Sequence, residues 1–412
     1  MSSLIVSLRN KMLTKDFELL KIASGDLVVG QPTPWSICDS KGSLLVEKGS
    51  PIDSEDFKRL LEQVGYFAKQ INQALVQPVR LKGKVNPFAE FDDLCVQLEA
   101  IFKRIEAGQH FPTGLLIKRF HRFIASLQGL VHYDADALLG AVHLTESFEY
   151  PIQHPMQIAV LTELILARLK VDQETRLSVL GAALTCNLAM NPFQKRLDQQ
   201  KGPLLPAQKD LINRHPLISA EMLRVAGVDD ELWLELVTQH HEKLDGSGYP
   251  LGLKGNAIRR EARILALGDV YSAMVTPRGY RGPLKLKDSL KDLFQQRGRA
   301  FDGKLTELFI MELGLYPPGI YVRLSNDDLA VVIGRTDHPK SPMVASIRRS
   351  DGYMYPSPRK RDLREGEIEV RYVCDATEKV KINPATLWGI DALRVEQRTD
   401  LSSVDPFMRG LI

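Results

Sequence analysis

Residues from about Glu146 to Leu315 form an almost unbroken succession of helical patterns joined by short connections. Apolar residues recur three and four positions apart in segments such as IAVLTELILARL, RLSVLGAALTCNL and EARILALGDVYSAMV. This spacing places the apolar side chains on one face of each helix, and each such face has to be buried against other helices. The sequence therefore predicts a mainly α fold class, built around a central all-α domain.

The regions on either side of this domain have different patterns. Residues 1–85 contain short β-rich runs between Gly, Pro and Ser residues, which predicts a small β-containing N-terminal module. Residues 86–144 have helical spacing again and are expected to connect this module to the helical domain, which we place at residues 145–325. Residues 326–412 alternate apolar and polar residues and predict a β-rich C-terminal tail, in which the polar residues 348–366 are expected to form a mobile loop.

The charge, cysteine content and hydropathy exclude several classes of partner. The chain of 412 residues has 54 Lys and Arg against 51 Asp and Glu, and a net charge of +3 is too small to indicate a nucleic acid polymer or a membrane surface. The four cysteines form no CxxC pair, which is typical of proteins from a reducing compartment. No apolar run is long enough to span a membrane, so we expect a cytoplasmic protein, of unknown oligomeric state.

Five residues of the helical region are candidate metal ligands. Imidazole and carboxylate groups from several helices commonly bind metals in helical domains. The candidates are His154, His215, His240, His241 and Asp269. Taken singly, each is more often a structural residue than a ligand, but the two adjacent histidines open the long and specific segment HHEKLDGSGYP.

The order of these residues resembles that of the HD-GYP family. The segment at residues 240–250 matches the pattern HHExxDGxGYP, and the similarity covers roughly residues 140–340. Proteins of this family are helical, metal-dependent phosphodiesterases that hydrolyse cyclic di-GMP to pGpG or GMP in bacteria. The resemblance implies that the ligand is cyclic di-GMP and that the cofactor is a divalent metal, Fe, Mn or Zn, since two or three ions together would activate a water and bind the phosphate.

The chain departs from the family at the His-Asp pair that names the superfamily. Family members have approximately AALLHDIGK there, whereas residues 182–190 are AALTCNLAM. Cys186 and Asn187 therefore occupy the two catalytic positions of the lost pair. A neutral amide cannot supply the negative charge that holds two divalent cations close together, so the metal is expected at reduced occupancy or absent. Whether Glu149 or Glu242 replaces the missing carboxylate stays open.

Cys186 itself has two interpretations. Its thiolate could join histidines in a single zinc-like site. Alternatively, its thiol could be a small buried side chain that fills the space of the lost ligand, which is the more common role of an unpaired cysteine.

The glycine-rich loop contains Asp245, Gly246, Gly248, Tyr249 and Pro250, and it also has two interpretations. The glycines and the proline could form a turn after the metal-binding helix. The family resemblance implies instead an exposed loop whose surface contacts GGDEF domains, which make cyclic di-GMP. The two roles are compatible, because one loop shape can serve both.

Two arginines in the segment PRGYR, Arg278 and Arg281, match basic positions that face the nucleotide in the family. A guanidinium group is always charged and can donate to two phosphate oxygens at once, which suits nucleotide binding. The alternative is that both are solvated surface arginines.

These observations lead to three hypotheses about function. The first is a bacterial cyclic di-GMP signalling protein that is catalytically impaired and acts by binding nucleotide or a partner domain. The second is an active metal-dependent phosphodiesterase that uses the remaining His and Asp ligands. The third is a helical scaffold whose β-containing flanks carry the function.

Overall fold

The chain divides into two compact units between Val76 and Gln77, and each unit has a hydrophobic core of its own. The structure, a computed structural model, describes residues 17–23, 25–40, 44–70, 76–109, 111, 114–145, 147–200, 202–276, 286–375 and 377–390.

The first unit is a small antiparallel sheet with one helix. Its strands are β1 (Phe17–Lys21), β2 (Ile37–Cys38), β3 (Leu44–Val46) and β4 (Tyr66–Gln70), and its helix is α1 (Glu55–Val64). The strands lie in the order β1-β4-β2-β3. Ser54 caps α1, because its Oγ accepts a hydrogen bond from the backbone N–H of Phe57. The core of this unit contains Ile22, Leu27, Ile37, Ile52 and Leu61.

The second unit is mainly helical. Its helices are α2 (Pro87–Glu106), α3 (Leu115–Tyr133), α4 (Ala135–Leu144), α5 (Tyr150–Arg168), α6 (Gln173–Thr185), α7 (Asn191–Gln199), α8 (Pro206–Val225), α9 (Glu231–Gln239), α10 (Arg260–Val275), α11 (Leu286–Gln296) and α12 (Gly303–Leu313). Helix α5 packs against α6 and α10, while α9 packs against α6 and α8. Helices α2 to α4 belong to the same compact unit as the helices that follow them.

Trp233 of α9 packs against α3 and α6 in the core of the second unit. The indole is fully buried and lies against Gly181 of α6, where an added Cβ would be 2.5 Å from the ring. Its Nε1 donates to Thr185 Oγ1 at 2.8 Å, and Phe120 of α3 meets the ring edge to face at 5.1 Å. These contacts fix the end of α6 relative to α9, and both helix ends contribute to the site described below.

The helices are followed by a five-stranded antiparallel sheet. Its strands are β5 (Tyr321–Leu324), β6 (Leu329–Gly334), β7 (Met343–Arg348), β8 (Met354–Asp362) and β9 (Val370–Val373), in the order β8-β7-β6-β5-β9, and the short helix α13 (Pro384–Trp388) follows. Strand β5 lies wholly within residues 145–325, the segment that was expected to form the helical domain.

Strand β8 contradicts one prediction from the sequence. A mobile loop was expected at residues 348–366, but Met354–Asp362 form a strand, so that prediction is wrong for these residues. Pro356 and Pro358 suggested a break, because proline has no N–H to donate. Strand β8 is at the edge of the sheet, and its pairing with β7 skips from Met354 to Arg359, which leaves both prolines out of the ladder.

The predicted mainly α fold class, with small sheets before and after the helical region, is confirmed. Within the described ranges, no helix has both the length and the apolar character needed to span a membrane.

Candidate metal and ligand site

One cavity of about 430 Å³ in the second unit brings together most of the residues that the sequence singled out. Four of the five predicted metal ligands line it, and the fifth, His240, is buried beside them. The end of α6 adds Asn187 to the same wall. The ligands come from His154 on α5, His215 on α8, His240 and His241 directly after α9, and Asp269 on α10.

His215, His240 and His241 form a histidine triad, whose ligand nitrogens lie within 4.8 Å of one another. The Nδ1 atoms of His215 and His240 donate to the carbonyl groups of Ile212 and Val237, each at 2.6 Å. Their Nε2 atoms therefore carry lone pairs in the neutral rings, and these two atoms face each other at 3.3 Å, where neither can donate. A metal ion between them removes this conflict, so the triad fits the predicted cofactor.

The three rings of the triad are neutral at neutral pH. Burial lowers the pKa of His215 to about 3, and the neighbouring His240 adds to this effect. Burial also lowers the pKa of His240, and it lowers the pKa of His241 well below its ordinary value. Each ring therefore has a lone pair available for a metal.

Asp269 is the carboxylate beside the triad. Burial alone would raise the pKa of Asp269. The hydrogen bond from His154 Nε2 (3.0 Å) and the neighbouring imidazoles outweigh this effect and hold the pKa well below its ordinary value. The same oxygen, Oδ1, also accepts a hydrogen bond from Asn187 Nδ2 at 3.1 Å. The other oxygen, Oδ2, lies 3.7 Å from His241 Nδ1 and so faces the triad.

Cys186 and Asn187 follow the last residue of α6. The Asn187 side chain forms a hydrogen bond in the site, whereas the Cys186 side chain is buried. Because a carboxylate can only accept hydrogen bonds, Asn187 presents its NH₂ group to Asp269, and that group has no lone pair for a metal. Cys186 is fully buried and is not among the described residues that line the cavity. Burial raises the pKa of the Cys186 thiol well above its ordinary value. This geometry favours a buried thiol over a thiolate ligand.

Behind His154 lies a group of buried polar side chains that the sequence analysis missed. Ser272 Oγ is 2.5 Å from His154 Nδ1 and donates to Gln157 Oε1 at 3.1 Å, and Thr276 Oγ1 donates to the same oxygen at 2.8 Å. These residues could have been found from their spacing in the sequence. Ser272 and Thr276 follow Asp269 by three and seven residues, and Gln157 follows His154 by three, so these residues lie on the same helix faces as the candidate ligands.

The glycine-rich loop folds back over the triad. The ring of Tyr249 lies 4.6 Å from the ring of His241, centroid to centroid, and Tyr249 lines the cavity. Gly246 has a φ of +80°, a left-handed conformation that favours glycine. Tyr249 and Pro250 are half-buried whereas Asp245 is exposed, so the loop presents only part of its surface to solvent.

Glu242 anchors the loop from inside. Its Oε1 accepts hydrogen bonds from the backbone N–H groups of Leu251 (2.6 Å) and Gly252 (3.1 Å), and its Oε2 accepts one from Leu253 (2.9 Å). Both carboxylate oxygens are therefore engaged by the loop. Glu149 is exposed at the start of α5 and is not among the described residues that line the cavity. Neither glutamate is among the described residues that line the cavity.

Replacing Gly248 by alanine should destabilise this loop. An added Cβ would lie 2.4 Å from Lys243 N and 2.5 Å from Glu242 Cα, and these main-chain atoms cannot move by a change of side-chain rotamer. We expect the free energy of unfolding to fall by about 1–3 kcal/mol in urea denaturation. Ser247→Ala, at an exposed neighbouring position, should change it little, and equal stability of the two variants would contradict the assigned contact.

The two arginines predicted to bind nucleotide, Arg278 and Arg281, lie outside the described residues. Among the described residues that line the cavity there is no lysine or arginine. The nucleotide-binding role of Arg278 and Arg281 therefore stays a prediction.

Part of the helical unit matches a known domain family. Residues 143–305 match the HD domain family. The chain is 29% identical over 244 residues to the cyclic di-GMP phosphodiesterase PA4108 of Pseudomonas aeruginosa, a match that covers 58% of each protein. It is 24% identical over 187 residues to the cyclic di-GMP phosphodiesterase PdeB of Borreliella burgdorferi, which covers 45% of this chain and 49% of the relative. The chain thus spans about half the length of these curated relatives.

A solved structure, Bd1817, a HDG"Y"P protein from Bdellovibrio bacteriovorus, aligns with 71% of this chain and 98% of its own. The TM-score of this alignment is 0.46, and the sequence identity is 15%.

Proposed function

We propose that the chain is a cyclic di-GMP signalling protein of the HD-GYP family, one that binds the dinucleotide or a partner domain but hydrolyses the dinucleotide slowly or not at all. The residues that match the HD domain family include the whole histidine triad and Asp269. The relatives named as cyclic di-GMP phosphodiesterases support the choice of ligand.

The hydrogen bond from Asn187 Nδ2 to Asp269 Oδ1 is the observation that carries this proposal. Hydrolysis by two metal ions needs a negatively charged group between the ions, because their mutual repulsion is strong at short distance. Asn187 is neutral and directs N–H groups at the only carboxylate among the described residues that line the cavity. The site therefore has ligands for one ion at the triad and lacks the charge for a second.

Glu242 and Glu149 do not alter this balance. The Glu242 carboxylate already accepts three backbone hydrogen bonds, and Glu149 is exposed at the start of α5. A divalent ion at the triad would supply positive charge for a phosphate group of the ligand.

The cavity suits a ligand with aromatic parts. Its volume of about 430 Å³ is within the range of roughly 300–1,000 Å³ typical of ligand pockets. Tyr150 stacks on His154 with the ring centroids 4.7 Å apart, and Tyr249 lies against the ring of His241. Both tyrosines line the cavity, so its wall contains aromatic rings that could contact guanine bases. The exposed Asp245 and Ser247 leave an outer loop surface for a GGDEF partner domain.

The experiment that tests this proposal measures binding and hydrolysis on the same preparation. Cyclic di-GMP should bind in isothermal titration calorimetry and should raise the melting temperature, because a ligand that binds only the folded state stabilises it. Chromatography of the products should show little more pGpG or GMP than the His240→Ala variant releases. Absence of any binding, or robust metal-dependent turnover that is lost in His240→Ala, would contradict the proposal.

An active phosphodiesterase is the second candidate, and the intact triad favours it. His215 and His240 direct their Nε2 lone pairs at one point, beside the anionic Asp269. This hypothesis predicts that both His240→Ala and Asp269→Ala abolish cyclic di-GMP turnover. Turnover that is unchanged in both variants would come from a contaminating enzyme and would exclude this hypothesis.

A further inference from the structure

A buried chain of hydrogen bonds begins at the backbone of α4 and ends at the triad. Gln157 Nε2 donates to the carbonyl group of Val142 at 2.9 Å, which fixes the orientation of the amide, since a carbonyl can only accept. Gln157 Oε1 then accepts the hydroxyl hydrogen bonds of Ser272 and Thr276, at 3.1 and 2.8 Å. Gln157 is therefore held from three directions and is the fixed point of the chain.

The chain continues through His154 to Asp269. The Ser272 hydroxyl donates its one hydrogen to Gln157, so Ser272 Oγ accepts a hydrogen bond from His154 Nδ1 at 2.5 Å, and His154 Nε2 donates to Asp269 Oδ1 at 3.0 Å. Asn187 Nδ2 donates to the same oxygen. With Oδ1 engaged by two N–H groups, Oδ2 is the oxygen that faces the triad, 3.7 Å from His241 Nδ1.

The burial of these side chains makes their arrangement specific. The exposed fractions are 4% for His154, 1% for Gln157, 0% for Ser272 and 5% for Asp269. In such surroundings a broken hydrogen bond leaves a polar group without water as a substitute, so one fully paired arrangement is strongly preferred. Outer groups of this kind orient metal ligands, and their loss typically weakens metal affinity about 10–100-fold.

We propose that Gln157, Ser272 and His154 are positioning residues that direct the free oxygen of Asp269 at the histidine triad. His154 acts through Asp269, and it is not itself a ligand of the ion at the triad. This inference deepens the proposed function and rests on its single ion at the triad, but it does not depend on nucleotide binding.

The test is the Ser272→Ala variant, titrated with Zn²⁺ and with Co²⁺. We expect zinc affinity to fall about 10–100-fold, because His154 and therefore Asp269 lose their orientation. The visible spectrum of bound Co²⁺ should also change, since it reports the groups around the ion and does not respond to a general loss of stability. Ser272→Thr keeps the Oγ atom and should restore both properties.

Ser178→Ala is the matched control. Ser178 is also buried and donates to a carboxylate, Asp230 Oδ2 at 2.6 Å, but it is not among the described residues that line the cavity. The two alanine variants should lose similar stability, whereas only Ser272→Ala should alter the zinc affinity and the Co²⁺ spectrum. Equal zinc affinity in wild type, Ser272→Ala and Ser178→Ala would overturn the proposal.

A double-mutant cycle tests the route through Asp269. In an Asp269→Asn background, Ser272→Ala should cause no further loss of zinc affinity, because the group that it positions is already gone. Two losses that simply add would overturn the proposal, and so would a wild-type protein that binds no zinc. Binding of cyclic di-GMP to metal-free protein, measured separately, shows whether the proposed function fails as well.

Discussion

Replacing Asn187 by aspartate should allow a second divalent ion to bind and should increase cyclic di-GMP hydrolysis at least about a hundredfold. The substitution nearly preserves the shape of the side chain but turns an N–H donor that faces Asp269 Oδ1 into a carboxylate. Two adjacent carboxylates repel each other unless cations lie between them. A second ion contributes several kcal/mol of transition-state stabilisation, and each 1.36 kcal/mol is a factor of ten in rate.

The measurement is the rate of pGpG and GMP formation with Mn²⁺, together with the melting temperature with and without Mn²⁺. Without metal, Asn187→Asp should melt at a lower temperature than the wild type, and with metal this difference should shrink or reverse. Adding Cys186→His completes the pair, although the larger side chain has to fit a fully buried position.

Asn191→Asp is the matched control for this experiment. Asn191 also lines the cavity, and its Nδ2 also donates to a carboxylate, Glu106 Oε1 at 2.9 Å, but it has no contact with Asp269 among the hydrogen bonds of the described residues. It should gain neither metal nor activity. If Asn187→Asp behaves like Asn191→Asp, the missing charge at residue 187 is not what limits hydrolysis.

Arg176→Ala should have the largest effect on stability, a loss of about 3–5 kcal/mol in the free energy of unfolding. Arg176 on α6 forms a two-point ion pair with Glu163 on α5, whose side chain is only 2% exposed. Among the described residues, the buried carboxylate then keeps one side-chain donor, Gln128 Nε2 at 3.4 Å. Helix α5 carries His154 and α6 leads directly into Cys186 and Asn187, so zinc affinity should fall too.

Urea denaturation measures this loss, and Arg168→Ala provides the comparison. Arg168 pairs with Glu312 at 3.1 Å, but its side chain is 63% exposed, so its removal should change stability by no more than about 1 kcal/mol. Similar stabilities for Arg176→Ala and Arg168→Ala would show that the Arg176 pair contributes little to holding α5 and α6 together.

The sequence was sufficient for the helical region because its signals are local and repeated. Apolar spacing predicts the helices, and the motif HHExxDGxGYP carries the resemblance to the HD-GYP family. Five candidate ligands spread over more than a hundred positions in the chain could be grouped only by that resemblance, since no periodicity relates His154 to Asp269. The structure brings four of them to one cavity and buries the fifth, His240, beside them.

The details of the site depend on side-chain contacts that local patterns do not encode. The sequence suggested Glu242 as a replacement ligand. In the structure its oxygens instead accept hydrogen bonds from backbone groups nine to eleven positions later. Ser272 and Gln157 gain their significance only from the packing of α5 against α10. Strand β8 was missed because its prolines are tolerated at a sheet edge, and edge position is a tertiary property.

The most direct measurement of the central claim is the number of metal ions per chain, determined by elemental analysis of protein purified without oxygen and without added metal, beside the His240→Ala variant. The lone pairs of His215 and His240, together with a single Asp269 carboxylate, predict no more than one ion per chain, lost in His240→Ala. Two or more ions of iron or manganese per wild-type chain would contradict the account and would make the active phosphodiesterase the leading hypothesis.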